Sequence, residues 1–204
     1  MTTLSARKKA AIVDAAIDMF QKNGFQGTSM DAIAQQAQVS KRTVYNHFPS
    51  KQALFEHIAQ SVWETANQAT MLAFEPEAEL LPQLQALAMK ELALVGDESF
   101  LRLSRVLMAE FIHEPAMAQA ILERFNNEES SLTQWMQQAS QHAQLNIINA
   151  EQAGGQFHGL IKAQAFWPQI MFGQEPIPKS QHEEFSKQVC TMFLSVYGQG
   201  EKES

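Results

Sequence analysis

A short segment between residues 41 and 47 concentrates side chains that can contact a nucleic acid. Its two cations can neutralise phosphates or donate hydrogen bonds to the acceptor edge of guanine. The threonine and asparagine can form hydrogen bonds, and the tyrosine and histidine can contact backbone phosphates. The tyrosine ring can also pack on a thymine methyl group. The predicted DNA contacts in this segment are Lys41, Arg42, Thr43, Tyr45, Asn46 and His47.

Four flanking residues extend this candidate interface. Ser40 precedes the segment and is a favourable cap for a helix that starts at residue 41. Thr28 and Ser29 are predicted first as helix caps, and their hydroxyls or amides can also reach phosphate. Lys51 begins the next predicted helix, whose N-terminal amides favour an anion, and is a further phosphate candidate.

Two short helices must position these residues. Thr28 followed by Asp31 resembles a capping box and predicts a helix start at about residue 29. Apolar residues at helical spacing then predict one helix within 30–37 and another within 41–48, joined by a tight turn at 38–40. This is the spacing of a helix-turn-helix, which places the N-terminal part of the second helix in the major groove.

The whole chain is predicted to be all-α, with a three-helix head, a connecting helix and a helical body. We expect a DNA-binding domain at 1–50 and a ligand-binding and dimerisation domain at 51–204. Pro168 should kink or break the fourth of the body helices. The body helices are predicted near 79–95, 98–112, 115–144, 149–172 and 180–197.

Charge is distributed unevenly along the 204 residues. The net charge is -7, but residues 1–60 carry seven Lys or Arg against four Asp or Glu, which makes that segment +3 and the remainder -10. A basic head on an acidic body can orient the molecule towards phosphate. With one cysteine, no long apolar segment and no signal peptide, the chain is expected in the cytoplasm, away from the membrane.

Other kinds of site have little support in the sequence. We expect no enzyme activity, cofactor or metal, since no nucleophile–base pattern or zinc-binding helix motif is visible. A metal site at His113 with Glu110 and Glu114 is a minor alternative. Cys190 is expected in the core or an interface, with a redox sensor as the lesser alternative.

The motifs around the helix-turn-helix resemble those of the TetR family of regulators. The matching motifs are Gly24–Phe25, Thr28–Ser29, Ile33–Ala34, Val39–Ser40, Tyr45, His47–Phe48, Ser50–Lys51 and Leu54–Phe55. More loosely, residues 100–114, the segment 166–173 and the closing helix that ends at 196–198 resemble the AefR-like branch. Gln38 stands where the family usually has glycine. If Gln38 keeps a positive φ, it costs about 1 kcal/mol relative to glycine.

The resemblance implies a repressor released from a near-palindromic DNA operator by a small hydrophobic effector. An activator of the same family and a helical protein-interaction module with a degenerate head are the alternatives. Large soft side chains in the body suit a pocket for such an effector. The residues predicted to line it are Met89, Leu92, Leu103, Leu107, Phe111, Phe125, Trp135, Met136 and Phe157.

The last two predicted helices have more apolar surface than one protomer's core needs. The excess predicts a homodimer in which two helices from each subunit form a four-helix bundle. The residues predicted at this interface are Phe157, Leu160, Ile161, Ile170, Phe185, Val189, Met192, Phe193 and Val196.

Overall fold

The computed structural model describes residues 4–125 and 130–199. Apart from one isolated antiparallel bridge between Leu145 and Gly198, its regular structure is helical, as predicted. The helices are α1 (Leu4–Asn23), α2 (Met30–Gln36), α3 (Lys41–His47), α4 (Lys51–Ala69), α5 (Leu80–Val95), α6 (Glu98–His113), α7 (Pro115–Phe125), α8 (Ser131–Gln141), α9 (Ala150–Ala165), α10 (Trp167–Phe172), a 3₁₀ turn (Lys179–Gln181) and α11 (His182–Tyr197).

The predicted helix over 115–144 is wrong, because two helices occupy this part of the chain. Ser130 caps α8, its hydroxyl accepting a hydrogen bond from the Thr133 amide at 3.1 Å, so that a new helix begins at residue 131. The predicted helix over 149–172 is likewise two helices, and the break at Phe166 confirms the effect expected of Pro168. Proline lacks the amide hydrogen that would continue the α9 ladder.

The chain divides into two compact units. Of the described residues, the first contains 4–63 and 102–125, and the second contains 64–101 and 130–199. These structural units cut across the domain boundary predicted at residue 50, since α6 and α7 contribute to the first unit. The functional division at that boundary stays a prediction.

The first unit packs the helix-turn-helix around one apolar core. Ile12 of α1, Ile33 of α2 and Val44 of α3 are fully buried in this core together with side chains of α4, α6 and α7. On its surface Arg102 of α6 pairs with Asp18 of α1. The core therefore fixes α3 against α1 and α2 through buried apolar contact.

The second unit is built on α5, α8, α9 and α11. Its core contains Leu84 and Leu87 of α5, Trp135 of α8, Phe157 of α9 and Phe193 of α11. The Phe157 and Phe193 rings meet edge to face with centroids 5.2 Å apart, which joins α9 to α11. Helices α9 and α11, which were predicted to form the dimer interface, thus pack on each other within one protomer.

Candidate nucleic-acid interface

Ser29 starts the first helix of the motif. Its hydroxyl accepts a hydrogen bond from the Ala32 amide at 3.1 Å, so Ser29 is the N-cap of α2 and the prediction of Thr28 as its cap is wrong. Thr28 is 3% exposed, and its hydroxyl donates to the carbonyls of Met19 and Gly24 at 3.1 and 2.8 Å. These bonds tie the residue just before the N-cap of α2 to the end of α1 and the glycine that follows it.

The turn between α2 and α3 depends on Gln38. This residue has φ of 55°, so it adopts the left-handed conformation that favours the glycine usual in the family. The following amide, that of Val39, donates to the Ala34 carbonyl at 3.1 Å and closes the turn. The strained backbone at Gln38 is therefore held by the packing of the helices on either side.

The second helix of the motif presents a polar face. Ser40 caps α3 by accepting a hydrogen bond from the Thr43 amide at 3.1 Å, and Val44 is fully buried beneath the helix. Tyr45 is 49% exposed although it is a large aromatic residue. His47 is half-buried. Thr43 is half-buried as well, and the other predicted contacts on the helix, which are exposed, are Lys41, Arg42 and Asn46.

Asp31 of α2 holds the first residue of α3. Its carboxylate pairs with the Lys41 ammonium at 2.6 Å, and this hydrogen bond raises the pKa of Lys41 above its ordinary value. Sequence reasoning missed the pair because ten residues separate the two partners. Their opposite charges on either side of a predicted tight turn are the signal that could have found it.

Lys51 is bonded to protein rather than left open to solvent. Its ammonium donates to the carbonyls of Phe25, Gln26 and Thr28 at 2.5, 3.4 and 2.8 Å and lies 4.5 Å from the centroid of the Phe25 ring. These carbonyls belong to the segment that leads from α1 into α2. Its predicted contact with phosphate would have to compete with these bonds.

Glu110 of α6 lies in the first unit, and its burial was not predicted from the sequence. It is 6% exposed, and its Oε1 atom has no hydrogen-bond partner. Burial, followed by the charge of Glu114, raises the pKa of Glu110, while His113 and Lys51 act in the opposite sense. Among the described residues, no group of three or more potential ligands is arranged to hold a metal.

The residues predicted to line an effector pocket are distributed over both units. Leu103, Leu107 and Phe111 contribute to the core of the first unit. Met89 of α5 is 39% exposed, and the Phe125 side chain is outside the described part of the structure. The others are buried in the second unit: Leu92, Trp135, Met136 and Phe157. The buried indole nitrogen of Trp135 has no hydrogen-bond partner.

A largely apolar groove of about 880 Å³ runs between α9 and α11. Six of the residues predicted at the dimer interface line it: Leu160, Phe185, Val189, Met192, Phe193 and Val196. Met192 and Val196 are 57% and 69% exposed, whereas Phe157, Ile161 and Phe193 are buried within the protomer. Gly155, Gly159 and Ala163 line the α9 wall at intervals of four residues.

Two further ionisable groups of the second unit lie beneath the surface. Glu91 of α5 is 2% exposed and bonds to His158 Nδ1 at 2.7 Å, with Lys162 Nζ 3.9 Å from its other oxygen. Cys190 is fully buried, and burial raises the pKa of its thiol to about 12. A redox sensor requires an accessible thiol with a lowered pKa, so Cys190 lacks both properties.

A search of the described helices for a long apolar segment that could span a lipid bilayer finds none.

Two family signatures cover most of this chain. Residues 12–58 match the bacterial regulatory proteins of the tetR family. Residues 82–199 match the C-terminal domain of the AefR-like transcriptional repressors. The chain belongs to the TetR family and is a transcriptional regulator with a helix-turn-helix DNA-binding head.

Solved structures and curated relatives agree with this assignment. A TetR family transcriptional regulator from Pseudomonas syringae pv. tomato is 36% identical over 98% of this chain and all of its own, with a TM-score of 0.85. The flavonoid-responsive regulator FrrA is 27% identical over 94% of this chain and 97% of its own, with a TM-score of 0.72. IcaR of Staphylococcus aureus, a negative regulator of the biofilm operon icaADBC, is 33% identical over 64 residues. That match covers 31% of this chain and 34% of IcaR, about a third of each.

Proposed function

We propose that this protein is a repressor that binds a near-palindromic operator as a homodimer and leaves it when a small hydrophobic effector binds. The observation that carries the proposal is the polar, exposed face of α3. A large aromatic residue that is 49% exposed beside exposed polar side chains is typical of a surface that meets a partner. The similarity to IcaR and to AefR-like repressors favours repression over activation.

Substitution on α3 tests the DNA-binding part of the proposal. Arg42→Ala and Tyr45→Ala should each weaken operator binding. Arg42→Ala should also reduce the salt dependence, since removal of one phosphate interaction lowers the slope of log K against log salt by about 0.9. Lys187→Ala, which removes an exposed cation from α11, is the matched control and should bind as wild type does. Wild-type affinity in both α3 variants would refute the assignment of this surface.

The groove between α9 and α11 supports the homodimer. A second copy related by a two-fold axis would cover the exposed Met192 and Val196 side chains, and the small residues along α9 would let its helices approach closely. A Cβ atom at Gly159 would meet nothing within 4 Å, so the protomer has room for a larger side chain there.

That free space gives a sharp test of the interface. Gly159→Leu should favour the α9 helix by about 1 kcal/mol yet obstruct the second copy, so the protomer stays folded while the dimer dissociates. Met192→Asp should weaken the dimer by burying a charge, and Met71→Asp, at a residue 64% exposed outside the groove lining, is the control. Sedimentation at micromolar concentration measures the oligomeric state of each variant. A wild-type monomer, or dimers that neither Gly159→Leu nor Met192→Asp weakens, would refute the interface.

The Trp135 indole supports an effector site in the second unit. A buried N–H group without a partner costs about 1–3 kcal/mol, and a ligand oxygen could satisfy it. FrrA, similar over nearly its whole length, is flavonoid-responsive, so a flavonoid such as quercetin is a suitable probe. Quercetin should quench Trp135 fluorescence and release operator DNA. Trp135→Phe should weaken both effects, and Trp167→Phe, at a residue 44% exposed, should not.

A further inference from the structure

The Lys51 ammonium is surrounded by protein acceptors. Three backbone carbonyls lie within hydrogen-bonding distance of its ammonium, those of Phe25, Gln26 and Thr28. A lysine ammonium has three donor hydrogens, so this set of acceptors matches its full capacity. The ring of Phe25 lies against the same ammonium, with the nitrogen 4.5 Å from the centroid.

The segment that Lys51 contacts is a tight connection, in which the Phe25 carbonyl also accepts a hydrogen bond from the Thr28 amide at 3.3 Å. Gly24 ends α1 with φ of 72°, and a Cβ atom at Gly27 would lie 2.4 Å from the Asn23 carbonyl oxygen, so the chain is tightly folded here. The Thr28 hydroxyl already serves the carbonyls of Met19 and Gly24. A cation at the carbonyl end of α1 is also favourable because it lies at the negative end of the helix dipole.

We infer that Lys51 is a positioning residue of the DNA-binding head: it fixes the connection from α1 to α2 through these carbonyls and does not contact phosphate. The connection ends at Ser29, the N-cap of α2, and α2 packs against α3. Lys51, which contacts this connection, is the first residue of α4, and α4 also contains the fully buried Leu54 and Phe55. Lys51 therefore sets the entry of α2, and through α2 the orientation of α3, relative to α4.

The inference rests on the proposed DNA-binding surface but is tested first on the free protein. Reductive methylation of the wild type without DNA should modify Lys51 much more slowly than Lys22, an exposed lysine in the last turn of α1. Operator DNA should leave the Lys51 rate unchanged. If Lys51 reacts as fast as Lys22 in the free protein and is protected only when DNA is bound, it contacts phosphate and the inference is overturned.

Substitution separates positioning from a phosphate contact. Lys51→Met should speed amide hydrogen exchange at residues 27–29 by about tenfold or more, the equivalent of one charge-assisted hydrogen bond. It should weaken operator binding while the protein is still folded, with no change in the salt slope. Arg42→Met calibrates that slope, which should decrease by about 0.9 for each phosphate interaction removed. Lys51→Arg keeps donors for the carbonyls and should restore most of the affinity.

The outcomes are distinct. A Lys51→Met protein that keeps wild-type exchange at 27–29 but has a reduced salt slope, as Arg42→Met does, would show a phosphate contact. One that exchanges faster but binds DNA as wild type does would show a lysine that stabilises without positioning, which also overturns the inference. If no DNA binding is found for the wild type, the proposed function fails, whereas the methylation and exchange results still stand.

Discussion

Replacing Gln38 with glycine should stabilise the protein, because the turn of the helix-turn-helix holds this residue at φ of 55°. A residue with a Cβ atom costs about 1–2 kcal/mol in the left-handed region. Glycine gives the unfolded chain more conformational freedom, and this entropy offsets about 0.5–1 kcal/mol of the gain. The Gln38 side chain is exposed, so its removal sacrifices little packing. Gln38→Gly should therefore add about 1 kcal/mol to the free energy of unfolding.

The predicted gain corresponds to a rise of about 2–4 °C in the melting temperature of a chain of this size. Gln35→Gly is the matched control, since it makes the same chemical change at an exposed position within α2 and should cost about 0.5–1 kcal/mol. Ala143→Gly, at the other described non-glycine residue with positive φ, 54°, should stabilise the second unit. Melting curves of the three variants measure the effect. If Gln38→Gly and Gln35→Gly shift the melting temperature in the same direction, the strain argument is wrong.

Three further predictions concern buried polar groups. The folded protein raises the pKa of Glu110, so wild-type stability should fall as pH rises from the ordinary carboxyl pKa through the raised pKa. Glu110→Gln removes this titration and should therefore raise the free energy of unfolding at neutral pH and flatten its pH dependence. Urea titrations at several pH values measure both effects. His158→Ala should cost about 1–3 kcal/mol by removing a partner of buried Glu91, and an unchanged calorimetric stability would contradict this. Cys190 should resist a thiol-specific disulfide reagent in the native protein and react once per chain in denaturant; rapid native labelling would contradict its burial.

The helix-turn-helix was predictable because its signals are local. Ser40 caps α3 three residues from its bonding partner, and Val44 faces the core at helical spacing, so a short stretch of sequence specifies the element. The break before Pro168 has the same local character. The helix over 115–144 was wrong because apolar periodicity resumes on both sides of the start signal at Ser130 and hides it.

The interactions of the site that involve distant residues were not predictable in the same way. Lys51 bonds to carbonyls 23 to 26 positions earlier in the chain, and any lysine at a helix start can as well be assigned to phosphate. Periodicity identified the apolar residues of α11 but did not show which of them are buried within the protomer and which are exposed. Phe193 packs within the protomer, whereas the adjacent Met192 is 57% exposed, and only the three-dimensional contacts of α9 and α11 separate the two.

The central proposal is that two copies of α3, set by one two-fold axis, bind a symmetric operator. Selection of bound sequences from a random duplex library by the purified full-length protein tests this most directly. We expect enrichment of an inverted repeat whose half-sites are centred about one helical turn, roughly 10 base pairs, or a multiple of it apart. Arg42→Ala should lose this enrichment. An enriched motif without two-fold symmetry, or one that Arg42→Ala and Tyr45→Ala select as well as wild type does, would contradict the account.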